Sequence, residues 1–212
     1  MKKMTDQRVK KFTSVVQKRQ LDMTVVLENV HDPHNIGAVL RSCDAVGISE
    51  IFVLYNEPNL FTTHLKVAGK SNSGARKWVD INFYTDTDKC MKAVRSKYQT
   101  IYATHLENSA KSIYNKDLTQ SFAIVFGNEK DGISAKMLEY CNQNVVIPQM
   151  GMVKSLNISV ACAVSLFEAL RQRQIKGLYS KIDMPSAKVA LLNDYCERHH
   201  DRKKRNLAKR ID

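Results

Sequence analysis

Six short apolar runs rich in β-branched residues, at 24–27, 50–55, 79–84, 100–103, 122–126 and 145–148, recur along this chain of 212 residues. Each is short and continuously apolar, so the runs read as strands buried in a sheet. Between several of them the spacing changes: Ile36, Val39, Leu40, Cys43 and Val46 return at helical intervals and stop at Gly47, a natural residue to follow a helix end. Strand alternating with helix predicts an α/β fold with a largely parallel sheet. Later, Val160, Ala163, Val164, Phe167 and Leu170 mark one face of a long helix running to about 174. Val9, Phe12, Val15 and Val16 mark a short basic helix near the start, and a second basic helix is expected over about 186–207, with Val189, Leu191, Leu192 and Tyr195 on its apolar side.

At this length, with 43% hydrophobic residues, the chain supports one well-buried core plus short appendages. The division expected is a basic extension at 1–22, a core domain at 23–175 and a second basic extension at 176–212. Charge follows the same division. Residues 1–22 hold seven Lys/Arg against two Asp/Glu and 171–212 hold twelve against five, whereas 23–170 holds fourteen of each. The net +12 therefore sits at the two ends around a neutral middle, the footprint of appendages that grip a polyanion. Lys10, Lys11 and the run Arg202, Lys203, Lys204, Arg205 are the candidate nucleic-acid contacts; solubilising tails are the plainer alternative. No apolar run reaches the length of a membrane span and the basic N-terminus lacks a signal-like apolar core, so no membrane partner and a cytoplasmic location are expected. The five cysteines are odd in number and scattered without a C-x-x-C pair, which reads as reduced thiols and no metal site.

The common nucleotide-binding folds place a glycine-rich turn directly after the first strand. Here that turn is Glu28-Asn29-Val30-His31-Asp32-Pro33-His34-Asn35, with no glycine, which disfavours a Rossmann-type enzyme. Glycines come late instead, Gly127 and Gly132 in F-G-N-E-K-D-G-I-S and Gly151 in I-P-Q-M-G-M-V-K-S-L-N-I-S-V-A. Taken alone, the polar residues of these segments have two readings each. Asn35 precedes a helix starting near Ile36 and could cap it, a contribution of about 1 kcal/mol. Arg41 lies opposite the apolar stripe and could be a solvated charge. Ser155 and Asn157 could cap the long helix, and His31 and His34 could be turn residues or a base.

The segments 27–47, 122–134 and 144–173 together, in this order and spacing, resemble the three motifs of the SPOUT methyltransferases, and specifically the TrmH-type branch. The resemblance covers roughly 25–173. It implies a C-terminal half threaded into a deep trefoil knot, an exception to the usual rule against threading. It also implies S-adenosylmethionine as cofactor, held by three loops that contribute Thr104, Gly127, Ile147, Met150 and Leu156, with glycine at 127 permitting close approach. Asn35, Arg41, Glu129, Ser155 and Asn157 match positions where enzymes of this type carry functional side chains. In the family Arg41 is the group acting on a ribose 2'-hydroxyl together with an RNA phosphate. An arginine is not deprotonated in proteins, so activation and phosphate binding are the roles expected of it.

Related enzymes acting on ribosomal RNA commonly carry a sizeable N-terminal RNA-binding domain, whereas about 22 residues precede the first strand here. With M-G-M-V-K-S-L-N-I-S-V-A as the third motif, the resemblance implies 2'-O-methylation of guanosine 18 in the D-loop of tRNA by a C2 homodimer that pairs through the long helix. Methylation of ribosomal RNA or another tRNA position, and a non-catalytic RNA-binding module, are the alternatives.

Overall fold

The structure, a computed structural model, describes residues 4–57, 74–106, 110–200 and 208–210. The strands are β1 (Met23–Glu28), β2 (Glu50–Leu54), β3 (Asp80–Tyr84), β4 (Thr100–Ala103), β5 (Lys111–Ser112), β6 (Phe122–Phe126), β7 (Gln143–Val146) and β8 (Ala208–Arg210). The helices are α1 (Asp6–Gln17), α2 (Pro33–Ala45), α3 (Thr87–Arg95), α4 (Ala135–Leu138), α5 (Ile158–Ile175) and α6 (Ser186–His200). The described strands join one sheet in the order β5-β7-β4-β6-β1-β2-β3-β8, and every pairing among them is parallel. Central register is set by β1 on β6, with Val25 opposite Ile124 and Leu27 opposite Phe126.

Alternate residues of β1 serve opposite faces. Val25 and Leu27 join a core with Ile36, Val39, Leu40 and Cys43 of α2 and Ile158, Cys162, Leu166 and Ala169 of α5. Val26, between them, joins Cys90, Met91 and Val94 of α3 and Met137 of α4. A sheet covered on both faces needs apolar residues at every position, which is why the runs carry no polar alternation. The helix ending at Gly47 forms as expected, with Gly47 at φ 88°.

Chain direction creates a crevice. From β1 the chain crosses through α2 to β2 on one side, whereas from β6 it passes through α4 to β7 on the other side. The carboxyl ends of the adjacent strands β1 and β6 are therefore a topological switch point, where open α/β sheets leave room for ligands.

Several expectations shift. The apolar stripe on α5 divides, with Leu170 packed against the core and Val160 and Phe167 47% and 49% exposed, while the buried residues of the helix are Ile158, Cys162, Ser165, Leu166, Glu168, Ala169 and Arg173. Burial of an arginine there has a physical reason, since Arg173 donates to the carbonyls of Leu118 and Gln120, to Gln20 Oε1 and, at 2.6 Å, to Asp22 Oδ1. The terminal helices pack on one another through Phe12, Trp78 and Tyr195, with ring centroids 5.1 to 6.5 Å apart. Helix α6 holds two Lys/Arg and two Asp/Glu and is neutral, and its Arg198 is turned inward to Asp80. The basic run Arg202 to Arg205 lies outside the described residues, and the expected helix over 186–207 is described only as far as His200.

Candidate active site

Helix α2 begins at Pro33, three residues earlier than its apolar spacing suggests, because Asp32 caps it by accepting from His34 N at 2.8 Å. This corrects the capping alternative for Asn35. Asn35 lies in the first turn of α2, 7% exposed, with its carboxamide turned into the crevice. Its Nδ2 donates to Glu129 Oε1 at 2.7 Å, and its Oδ1 accepts from Asn157 Nδ2 at 3.1 Å. Asn157 does cap α5, accepting at Oδ1 from the backbone N of Ser159 at 2.9 Å and from its hydroxyl at 2.6 Å.

These contacts leave no freedom in the orientation of the two amides. A backbone N–H only donates and a carboxylate only accepts, so the chain runs in one direction from Ser159 N through Asn157 and Asn35 to Glu129. Residues from three distant segments are thus wired together, and Glu129 is the accepting end.

Glu129 is presented by a tight loop. Asn128 and Gly132 exchange backbone hydrogen bonds of 3.0 and 3.2 Å, and Gly132 takes φ 72°. A Cβ on Gly127 would lie 2.0 Å from both the carbonyl carbon and oxygen of Gly132. The close approach that demands glycine at 127 is therefore made by the chain's own backbone. Behind the loop, the carboxylate of Glu28 accepts from Ser134 N at 2.9 Å and Ser134 Oγ at 2.6 Å, while Ser134 caps α4. Glu28 is 1% exposed, and burial pushes its carboxyl above the usual range against the opposing pull of those hydrogen bonds. Its role was not legible in the sequence, because a carboxylate closing a strand gives no spacing signal.

Beside this network opens a cavity of about 560 Å³, whose walls come from the ends of β4, β6 and β7 and the start of α5. Thr104, Gly127, Ile147 and Leu156 all line it, together with Glu129, Ser155 and Asn157. Met150 is not in the wall and is 94% exposed. His105, Lys130, Gln149 and Lys154 also line the cavity, and motif spacing does not single them out. Phe126, Ile113, Val145 and Ile158 make its floor apolar, so it suits a ligand with a flat apolar part and a few polar contacts.

Arg41 is exposed on α2 and belongs neither to the cavity wall nor to the hydrogen-bonded chain. His31 and His34 are outside the wall, and His31 Nε2 is 3.4 Å from Glu57 Oε2. Lys10 and Lys11 are exposed on α1. All five cysteines are free thiols. Among the described residues no group of three or more His, Cys, Asp or Glu could hold a metal ion, and no helix is long and apolar enough to cross a membrane.

Residues 22–167 match the SpoU rRNA Methylase family. The chain is 40% identical over 181 residues to the tRNA (guanosine(18)-2'-O)-methyltransferase of Thermus thermophilus, covering 85% of this chain and 91% of the relative. Among solved structures, the TrmH/SpoU tRNA modifying enzyme of A. aeolicus superposes with TM-score 0.77 at 30% identity, covering 92% of this chain and 97% of the other. The SpoU methyltransferase AviRb of Streptomyces viridochromogenes, solved in complex with the cofactor AdoMet, gives TM-score 0.61 at 26% identity over 73% of this chain and 59% of that one.

Proposed function

The chain belongs to the SpoU rRNA Methylase family, and on that premise we propose that it transfers a methyl group from S-adenosylmethionine to the ribose 2'-hydroxyl of guanosine 18 in the D-loop of tRNA. The observation that carries the reading is the directed chain Asn157, Asn35, Glu129 at the rim of the cavity, because it unites the three motif segments at one place. Likeness to the Thermus enzyme over most of both chains selects the tRNA position.

The cavity fits the cofactor: its volume of about 560 Å³ lies within the roughly 300–1,000 Å³ usual for ligand sites. Thr104, Gly127, Ile147 and Leu156 would line the bound molecule. When bound, S-adenosylmethionine supplies a methyl group on a positively charged sulfur. The protein's part is alignment, which alone can lower such a barrier by roughly 7–11 kcal/mol. Asn35 and Asn157 hold the Glu129 carboxylate at the rim, Ser155 contributes a hydroxyl to the cavity wall, and Arg41 binds the RNA phosphate and polarises the 2'-hydroxyl.

In this reading the C-terminal half is threaded as a deep trefoil knot, which is supported by the meeting of the loops after β4, β6 and β7 at one cavity. The protein is a cytoplasmic C2 homodimer, with Asn35 and Arg41 close to the interface. Exposure of Val160 and Phe167 on α5 supports the dimer, and so does the place of Arg41 outside its own chain's cavity wall. Lys10, Lys11 and the 202–205 run grip the tRNA backbone.

The test is incubation with labelled S-adenosylmethionine and total RNA, followed by mapping of the methylated ribose. Label at guanosine 18 is the expected result, and label only on ribosomal RNA or at another position overturns the substrate. Arg41→Ala should cut transfer by about 10²–10³ while cofactor affinity stays within a few fold; loss of cofactor binding with normal turnover at saturation contradicts the role given to Arg41.

A further inference from the structure

Asn29 is the only non-glycine residue with positive φ among the described residues, at 49°, and it is 6% exposed. A left-handed residue at the end of a central strand needs something to hold it, and sites of this kind cluster where geometry must be fixed for chemistry. What holds Asn29 is Asn56, the second residue beyond β2. Asn29 Oδ1 accepts from Asn56 N at 3.1 Å, and Asn29 Nδ2 donates to Asn56 Oδ1 at 2.6 Å, closing a ring of two hydrogen bonds. Asn56 Nδ2 in turn donates at 3.1 Å to Oγ1 of Thr87, the first residue of α3. Next to this pair along the chain, the buried Tyr55 hydroxyl donates to the Val30 carbonyl at 3.2 Å.

We infer that Asn29 and Asn56 form a clamp that sets the position of α2 for the reaction proposed above, and that both are positioning residues. The end of β1 governs both walls of the crevice. Glu28 ties down the loop carrying Glu129 through Ser134, and Asn29 ties down the segment that leads through Asp32 into Asn35. The 2.7 Å contact between Asn35 and Glu129 joins those two walls. Loosening of the Asn29 side therefore reaches the reaction through Asn35, with no contact to substrate required. Asn56 is exposed and outside the cavity wall, so this role is separable from ligand binding. The inference rests on the proposed methyl transfer for its kinetic arm only.

Glycine at 29 separates a clamp from a mere turn, since it adopts positive φ freely and removes both hydrogen bonds. The full-length protein and its Asn29→Gly, Asn56→Ala and Asn56→Asp variants are compared by single-turnover transfer to a tRNA transcript at saturating S-adenosylmethionine. Cofactor Kd is measured by calorimetry, and amide exchange is followed in peptides covering 29–36 and α5. Asn29→Gly should lower the transfer rate by about 10–100-fold, with cofactor Kd and thermal midpoint nearly unchanged. Its exchange should rise in 29–36 and not in α5. Asn56→Ala shows the same pattern more weakly, because its backbone N–H still donates to Asn29. Asn56→Asp recovers most of the rate and protection, because its carboxylate accepts from both Asn29 Nδ2 and the Thr87 hydroxyl. A wild-type rate and exchange in Asn29→Gly overturns the clamp, as does a fall in thermal midpoint and cofactor affinity in step with the rate. If the wild-type protein methylates no tRNA, the proposed function fails separately. Exchange in 29–36 then decides the clamp by itself: faster exchange reversed in Asn56→Asp supports it, and unchanged exchange overturns it.

Discussion

Gly127→Ala is the smallest change that should disable the site, and its effect can be worked from the backbone. The added Cβ would meet the carbonyl carbon and oxygen of Gly132 at 2.0 Å and the nitrogen of Ile133 at 2.4 Å, whereas real Cβ atoms essentially never approach a neighbour within 3.0 Å. These neighbours are backbone, so no side chain can rotate away and the 128–132 loop must retreat by about 1 Å, the least that clears such an overlap. Because Asn128 and Gly132 are joined by two backbone bonds, the loop moves as a unit and takes Glu129 with it. A displacement of that size along the Glu129–Asn35 bond, now 2.7 Å, breaks it. Overpacking of this kind costs about 1–3 kcal/mol, which in a chain of this length lowers the thermal midpoint by roughly 2–12 °C. Transfer should suffer more than stability, since about 1 Å of misplacement at a reacting centre can reduce the rate about 10²-fold. The measurements are thermal unfolding and single-turnover methylation of tRNA at saturating cofactor. A Gly127→Ala protein with wild-type midpoint and rate would refute the argument. Reduced stability with an unchanged rate would show that the loop does not position Glu129 for transfer.

Glu28 releases its proton at higher pH in the folded chain than in the unfolded one, so its contribution to stability is fully present below its unfolded pKa and disappears as pH rises through the folded value. The stability difference between wild type and Glu28→Gln, measured by denaturant titration from pH 4 to 7, should therefore move against the wild type as pH rises; a difference independent of pH would contradict this. Burial pushes the Cys141 thiol up to about 12, so alkylation at pH 8 should run roughly a thousandfold slower than in the unfolded protein, and rapid labelling of Cys141 in the native protein would be inconsistent with that environment. For the RNA surface, point changes are cleaner than truncations, because removing the N-terminal segment deletes the buried Arg19, bound to the Ile48 carbonyl, and removing α6 strips Tyr195 from Trp78. Replacing Lys10 and Lys11, or the run Arg202 to Arg205, by alanine should leave cofactor affinity intact and reduce the slope of log K against log salt by roughly 0.7–0.9 for each phosphate no longer neutralised. Unchanged tRNA affinity and slope in both variants would mean that the ends only solubilise the chain.

The parallel α/β architecture was legible in the residues because a sheet covered on both faces demands continuous apolar runs, and the runs at 24–27, 100–103 and 122–126 coincide with or fall within β1, β4 and β6. The family resemblance, rather than spacing, marked Asn35, Glu129 and Asn157, the residues that the structure wires together. What the residues alone left open was direction and partner. Asn35 could have been a cap until Asp32 took that position, and Asn157 proved to be a cap and a donor at once. The stripe of Val160 and Phe167 had the period of a helix, but period does not say which side meets the sheet, and the buried side contains Ser165 and Arg173. Such a side is stable only because distant carbonyls and Asp22 arrive to satisfy the guanidinium. Glu28 and Asn29 carried no sequence signal for the same reason. Local spacing determines which elements form, whereas the meeting of Glu28 with Ser134, 106 residues away, and of Asn29 with Asn56 depends on how the strands are ordered across the sheet, which only the folded chain decides.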